Sequence, residues 1–342
     1  MKIILFSLGL ILTGFYSNAQ VISRHNDRNA LKLIRKTNKK APVTKLKGID
    51  IVNILKEDSI DRVKGLPKRF GKSNNVNLDI DKNGIWTSDE LGRVWELSIH
   101  SKGAHSLNLI FDKFKLPTGA SLIIYNEDTS FILGPITHEA NNKYNRYSTD
   151  LIKGDFATIQ LFEPWNQKGK TKLSVSNIIH GYVNIFSGGF GQSESCNNDI
   201  ACHNDWEIES QAIALVILDN GTRLCSGSLV NTGCNDFQPY FLTAFHCLDS
   251  WADGNLSLAE RNDTQNWVFR YNYTSPSCNG PDGVQYVSYS GADFISAWAE
   301  TDFALVELSN QPNHQEVAYA GWERDGVNPT SSVGIHHHKE ML

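Results

Sequence analysis

Residues 93–164 fall into short runs in which apolar and polar positions alternate. "RVWELSIHS", "HSLNLIFDKF", "ASLIIYNE", "FILGPIT" and "DFATIQLFEP" are divided by turn-forming stretches such as "LPTG" and "NEDTS". A period of two sends successive side chains to opposite faces of a strand, so these runs predict an antiparallel β-sandwich over residues 85–183. Upstream, "NALKLIRK" and "IDIVNILKE" carry short helical periodicity, separated by "KKAPVTKLKG". They predict a basic, mobile arm over residues 20–84 with one or two short helices. Strand-like runs return in "QAIALVILD", "LCSGSLV", "YFLTAF", "NWVFRYNY" and "DFALVELS". No long helical run lies between them, which predicts a β-barrel over residues 191–342 and a mainly β fold for the whole chain. Between the two sets, "NIFSGGFGQSES", residues 184–195, is rich in Gly and Ser and reads as a linker.

Composition supports the division. A chain of 342 residues is long for one ordinary core, so two domains are the default. The first twenty residues place one lysine before an apolar run and then Ser-Asn-Ala, which reads as a signal peptide over 1–19 cleaved after Ala19. Thr13, Gly14, Ser17 and Asn18 interrupt that run too early for a membrane anchor. A secreted or periplasmic location is therefore expected. All six cysteines, Cys196, Cys202, Cys225, Cys234, Cys247 and Cys278, lie in the second half. In an exported chain this clustering suggests disulfides. Neither a CxxC pair nor an HxxxH spacing appears, and the consecutive histidines 336–338 point in different directions, so no metal and no cofactor are expected.

Charge changes at the same place. From residue 191 onward there are 5 Lys and Arg against 20 Asp and Glu; before it there are 27 against 17. A basic first half facing an acidic second half suggests mutual attraction. The lysines of the first half are scattered, which argues against nucleic acid as a partner.

Two residues carry candidate chemistry. A nucleophilic hydrolase needs a base within hydrogen-bond reach of a hydroxyl and a carboxylate that fixes the base's tautomer. His246 ends the strand-like "YFLTAFHC", and Asp302 opens "DFALVELS", whose Phe303, Leu305 and Leu308 are expected to be partly buried. Together, "CSGSLV", then "YFLTAFHC" with its cysteine 22 positions after Cys225, then "TDFALVEL", closely resemble the trypsin-like serine proteases, in particular the bacterial lysyl endopeptidase family. The resemblance covers roughly residues 191–337.

The resemblance implies that His246 is the general base and Asp302 its orienting carboxylate. It implies disulfides Cys225–Cys247 and Cys202–Cys278, and a propeptide over residues 20–190 ahead of a start similar to "SESCNNDIAC". The substrate it implies is protein cleaved after a basic residue, and the molecule is expected to be a monomer whose other partner is its own propeptide. The family's nucleophile segment, "GDSGSP"-like or "GSSGSP"-like, does not occur in these 342 residues. Ser226 and Ser228 sit on a strand beside the implied disulfide and are not expected to replace it. The closing "GIHHHKEML" is similar to a family pattern, "GIHHP" followed by "GDVM", read one base out of frame. The expectation is accordingly a truncated, inactive protease domain with an incomplete second barrel. Cys196 and Cys234 are then left without assigned partners, unless they bridge each other. The alternative is a noncatalytic binding protein made of a β-sandwich and a half-barrel.

Overall fold

The computed structural model describes residues 21–186, 198–218, 220–280, 285–326, 328 and 330–336. The expected signal peptide, most of the 184–195 join, Cys196, His337 and His338 lie outside the described residues. The first half holds β1 (Val21–His25), β2 (Val43–Lys45), β3 (Gly71–Asp79), β4 (Ile85–Ser88), β5 (Gly92–His100) and β6 (Ser106–Lys115). It continues with β7 (Ser121–Asn126), β8 (Phe131–Ile136), β9 (Tyr147–Ser148), β10 (Ile152–Lys153), β11 (Phe156–Pro164) and β12 (Lys172–Gly181). The second half holds β13 (Ile213–Leu218), β14 (Arg223–Val230), β15 (Tyr240–Ala244), β16 (Val268–Tyr271), β17 (Gln285–Ser290), β18 (Ala292–Trp298) and β19 (Phe303–Leu308). The helices are α1 (Ile51–Val63), α2 (Glu207–Ser210) and α3 (Leu258–Asp263). The fold is mainly β, as the alternation predicts.

Two sheets organise the chain. The smaller has the order β10-β6-β12-β3, with β9 also on β6. The larger runs β18-β19-β15-β14-β13-β16-β17-β1-β8-β7-β11-β5-β2, with β4 on β5. In the first half the inward faces of both sheets meet in one core, where Leu97 and Ile159 pack with Leu109 and Ile178. The second half has its own core around Val216, Phe241, Phe269 and Val306. A third cluster belongs to both halves: Phe70 and Leu151 from the first, Leu215, Ile217 and Leu224 from the second. β13 is therefore buried on both faces, which accounts for its unbroken apolar sequence "IALVIL".

Residues 21–84 differ from the mobile arm expected of them. β1 is central in the large sheet, pairing β17 on one side and β8 on the other. β3 pairs β12 along most of its length. As the last strand of the smaller sheet it tolerates the polar run "SNNVN", which hid it in the sequence. The helical segment is α1, whose N-cap Asp50 accepts a hydrogen bond from the Asn53 N–H at 3.2 Å. On β19, Ala304, Val306 and Leu308 are buried and Phe303 and Leu305 are half-buried, in keeping with the partial burial expected of this strand.

Candidate active site

The site is built where β15 ends and β19 begins. These strands pair antiparallel, with Thr243 opposite Ala304 and Ala244 opposite Phe303. Beyond Ala244 the chain enters a single 3₁₀ turn, Phe245–Cys247, that lifts His246 out of the sheet. The Phe245 N–H donates to the Asp302 carbonyl at 3.0 Å, so the two segments remain joined past the last strand pair. Asp302 has a left-handed backbone, φ +51°, which the short polar side chain of aspartate tolerates.

Both carboxylate oxygens of Asp302 are used on His246. Oδ1 accepts the His246 backbone N–H at 2.9 Å, and Oδ2 lies 2.8 Å from Nδ1. A carboxylate has no proton to give at neutral pH, so Nδ1 must be the N–H donor and the imidazole lone pair falls on Nε2. The two side chains remain 50% and 53% exposed, so the imidazole can be approached from solvent. This pair can accept a proton from a hydroxyl at Nε2 while the aspartate holds ring orientation and charge.

Disulfides hold the surroundings. Cys225 on β14 is bonded to Cys247, one residue after the histidine, and Cys202 is bonded to Cys278. Thr243 Oγ1 donates to the Ser226 carbonyl at 2.8 Å, fastening β15 to β14 beside the same bridge. Cys234 is exposed and free. Among the described residues, the grouping of metal-ligand types is Cys225, His246 and Cys247. With both sulfurs in a disulfide it offers no thiolate, and zinc-type ligation is not available there.

Ser226 and Ser228 lie within the β14 ladder, opposite Leu215 and Ile213. Ser228 Oγ donates to the Leu229 carbonyl at 3.1 Å. Neither occupies the kind of tight turn whose adjacent amides make an oxyanion hole. Sequence reasoning missed a cleft of about 310 Å³ next to the histidine turn, lined by Phe245, Leu256, Arg261, Phe294, Trp298 and Glu300. Its signal was the run "DFISAW" ahead of Asp302, which forms β18.

A mainly β fold that holds a histidine against a carboxylate at the joined ends of two strands is an arrangement suited to acid–base chemistry. Residues 190–340 match the family model described as lysyl endopeptidase, C-terminal domain. The lysyl endopeptidase of Pseudomonas aeruginosa is 28% identical over 210 residues, which cover 56% of this chain and 43% of that relative. The chain thus spans less than half the length of the curated relative it matches. Residues 190–340 are thus similar to the C-terminal domain of lysyl endopeptidases.

Proposed function

We propose that residues 191–342 supply the general base, His246, and its orienting carboxylate, Asp302, for an exported serine endopeptidase that cleaves proteins after lysine. The observation that supports this most directly is the double use of Asp302: one oxygen on the His246 backbone, the other on Nδ1 at 2.8 Å. In the reaction, Nε2 removes the proton of a nucleophilic hydroxyl as it attacks the scissile carbonyl. Asp302 stabilises the resulting imidazolium, which then protonates the departing amine. Side chains of the substrate enter the cleft beside Trp298. The acidic second half draws cationic chains toward it, and the first half is the propeptide, removed near residues 187–193. Export rests on the leader-like first twenty residues; among the described residues no helix is long and apolar enough to cross a membrane.

These 342 residues contain no Gly-Asp-Ser-Gly or Gly-Ser-Ser-Gly segment. The hydroxyl and its oxyanion hole must come from elsewhere, and this chain alone is expected to be inactive. The purified chain should neither hydrolyse a lysyl peptide nor react with a fluorophosphonate probe. Labelling lost on Ser226→Ala or Ser228→Ala would overturn the account of β14. Labelling retained in both would reveal another nucleophile. The missing nucleophile segment also favours a second reading, a noncatalytic binding protein; capture of lysyl peptides without cleavage, abolished by changes at Trp298, would support it.

A further inference from the structure

We infer that the first half is held to the second by a shared strand and a buried ion pair, at a surface away from His246, so that it stays docked after the join is cut. This rests on reading the first half as a propeptide, and it names the surface that propeptide occupies. β1 lies between β17 of the second half and β8 of the first, with Val21 opposite Ser288 and Ser23 opposite both Tyr286 and Leu133. Without β1, β17 is an open edge, a template for adding an extended strand. Behind that edge, Arg270 of β16 reaches Asp150 of the first half through Nε, at 3.1 and 3.0 Å to the two carboxylate oxygens, and through Nη2. Both side chains are fully buried. The guanidinium also lies over the rings of Tyr286, at 4.3 Å, and Tyr273, at 4.9 Å. Withdrawal of the first half would leave this charge without its counter-ion. It would also bare the apolar outer face of β13, now covered by Phe70 and Leu151.

Further contacts join the halves elsewhere: Arg223 of β14 pairs with Asp61 of α1 and donates to the Pro67 carbonyl at 2.6 Å, and the Ser148 N–H donates to Ser290 Oγ at 2.8 Å. Lys143 Nζ lies 2.9 Å from Asp293 at the start of β18, where Tyr144 also bonds, and the Asn310 side chain donates to the Glu139 carbonyl at 3.0 Å. Five residues of extended chain, about 17 Å, separate Asp293 from Trp298 at the rim of the cleft. His246 and Asp302 remain half-exposed with the first half in place. The docked first half therefore acts as a scaffold for the second and does not plug its site.

The test replaces residues 188–193 of the full chain with a sequence cut by a specific protease. After cutting, the halves should co-elute in size-exclusion chromatography and separate only in denaturant. Asp150→Asn and Ser23→Pro, each confirmed as folded before cutting by circular dichroism, should release the halves as two species. Separation of the unsubstituted halves on cutting, or variants that stay associated as firmly as the parent, would overturn the inference. Should Asp150→Asn prevent folding, Lys143→Ala combined with Tyr144→Phe gives the readout: at least about fivefold faster exchange of the cut halves with isotope-labelled halves, and an unchanged rate counts against it. Diethyl pyrocarbonate, mapped by mass spectrometry, should modify His246 at equal rates before and after the cut; acceleration on cutting would mean the first half does act as a plug. N-terminal sequencing of the exported product tests the propeptide reading separately, since the engineered cut does not depend on where natural processing falls.

Discussion

Two acid–base pairs, Asp150 with Arg270 and Asp302 with His246, use similar chemistry in opposite surroundings. The first is wholly buried and joins the halves of the chain; the second is half-exposed and joins two strand ends. Burial decides what each can do. Out of water, two charges are tolerable only together, so the buried pair fixes an arrangement and has no freedom to exchange protons. Burial lowers the pKa of Arg270, yet the adjacent Asp150 outweighs it and the guanidinium pKa lies above its ordinary value. The exposed pair contributes little to folding and keeps one imidazole nitrogen available.

The largest predicted effect follows from the buried pair. Arg270→Ala leaves Asp150 buried without its partner and should lower unfolding stability by about 3–5 kcal/mol, read as a shift in the urea midpoint. Replacing both members, with Arg270→Met and Asp150→Leu, should recover much of that loss. If the double variant is as unstable as the single one, the pair is not the cause.

Next in size is the bridge beside the exposed pair. Cys225→Ser with Cys247→Ser opens a loop of 22 residues and should cost roughly 3 kcal/mol. The same change frees the turn that carries His246. Hydrogen exchange at residues 245–248 should then accelerate more than in β13; uniform acceleration would show that the bridge does not pin the site in particular.

The exposed pair was legible in the sequence and the buried one was not. His246 and Asp302 are 56 positions apart, and no periodicity connects them; their link came from the resemblance to a protease family, carried by the histidine–cysteine block. The strands of the first half were legible because their apolar and aromatic runs are short and divided by turn-forming stretches, even though β5, β8 and β11 are buried at successive positions. β1, with only five residues, and β3, with its polar run, lacked that signature. β17 and β18 are separated by a single residue, Gly291, and so did not read as two strands. Asp150 lies in "YSTDLIKGD", a stretch that resembles a turn. Nothing local marks it as the partner of an arginine 120 positions away. The apolar run of β13 did hold the clue that both of its faces are covered.

Acid should loosen the shared-strand region by a smaller amount. His25, at the end of β1, packs edge-on against Phe131, and its Nε2 is buried without a hydrogen-bond partner. Burial, then the charges of Arg270 and Lys153, push its pKa down from 6.5 to about 4, with Asp150 opposing. Above pH 6.5 the folded and unfolded states are both neutral at this ring. Between 6.5 and 4 the unfolded chain binds a proton that the folded chain refuses, so stability falls as pH falls, and the loss is complete below about 4. One unit is worth at most about 1.4 kcal/mol, and less for a ring that is only half-buried. His180, lowered by burial and then by His105, with Asp155 opposing, acts in the same direction. His25→Phe should flatten the melting temperature between pH 6.5 and 4 relative to the parent; parallel curves would remove His25 from the account.

The smallest stability effect belongs to Asp302→Asn, and it probes the contrast most directly. Asparagine fits the left-handed backbone at this position as aspartate does, so the change removes charge with little backbone strain. At a site this exposed the ion pair is worth about 1 kcal/mol or less, and the urea midpoint should barely move. The imidazole should respond far more. An amide can present its N–H₂ to Nδ1 where the carboxylate could only accept, which favours the tautomer with its proton on Nε2 and removes the lone pair from the side that must act as base. Nitrogen-edited NMR of His246 in the full chain distinguishes the two tautomers and needs no nucleophile. A shift toward the Nε2-protonated form, at nearly unchanged stability, is the expected result. A large loss of stability without a change of tautomer would mean that Asp302 supports the fold in the manner of Asp150, and the proposed division of roles between the two pairs would fail.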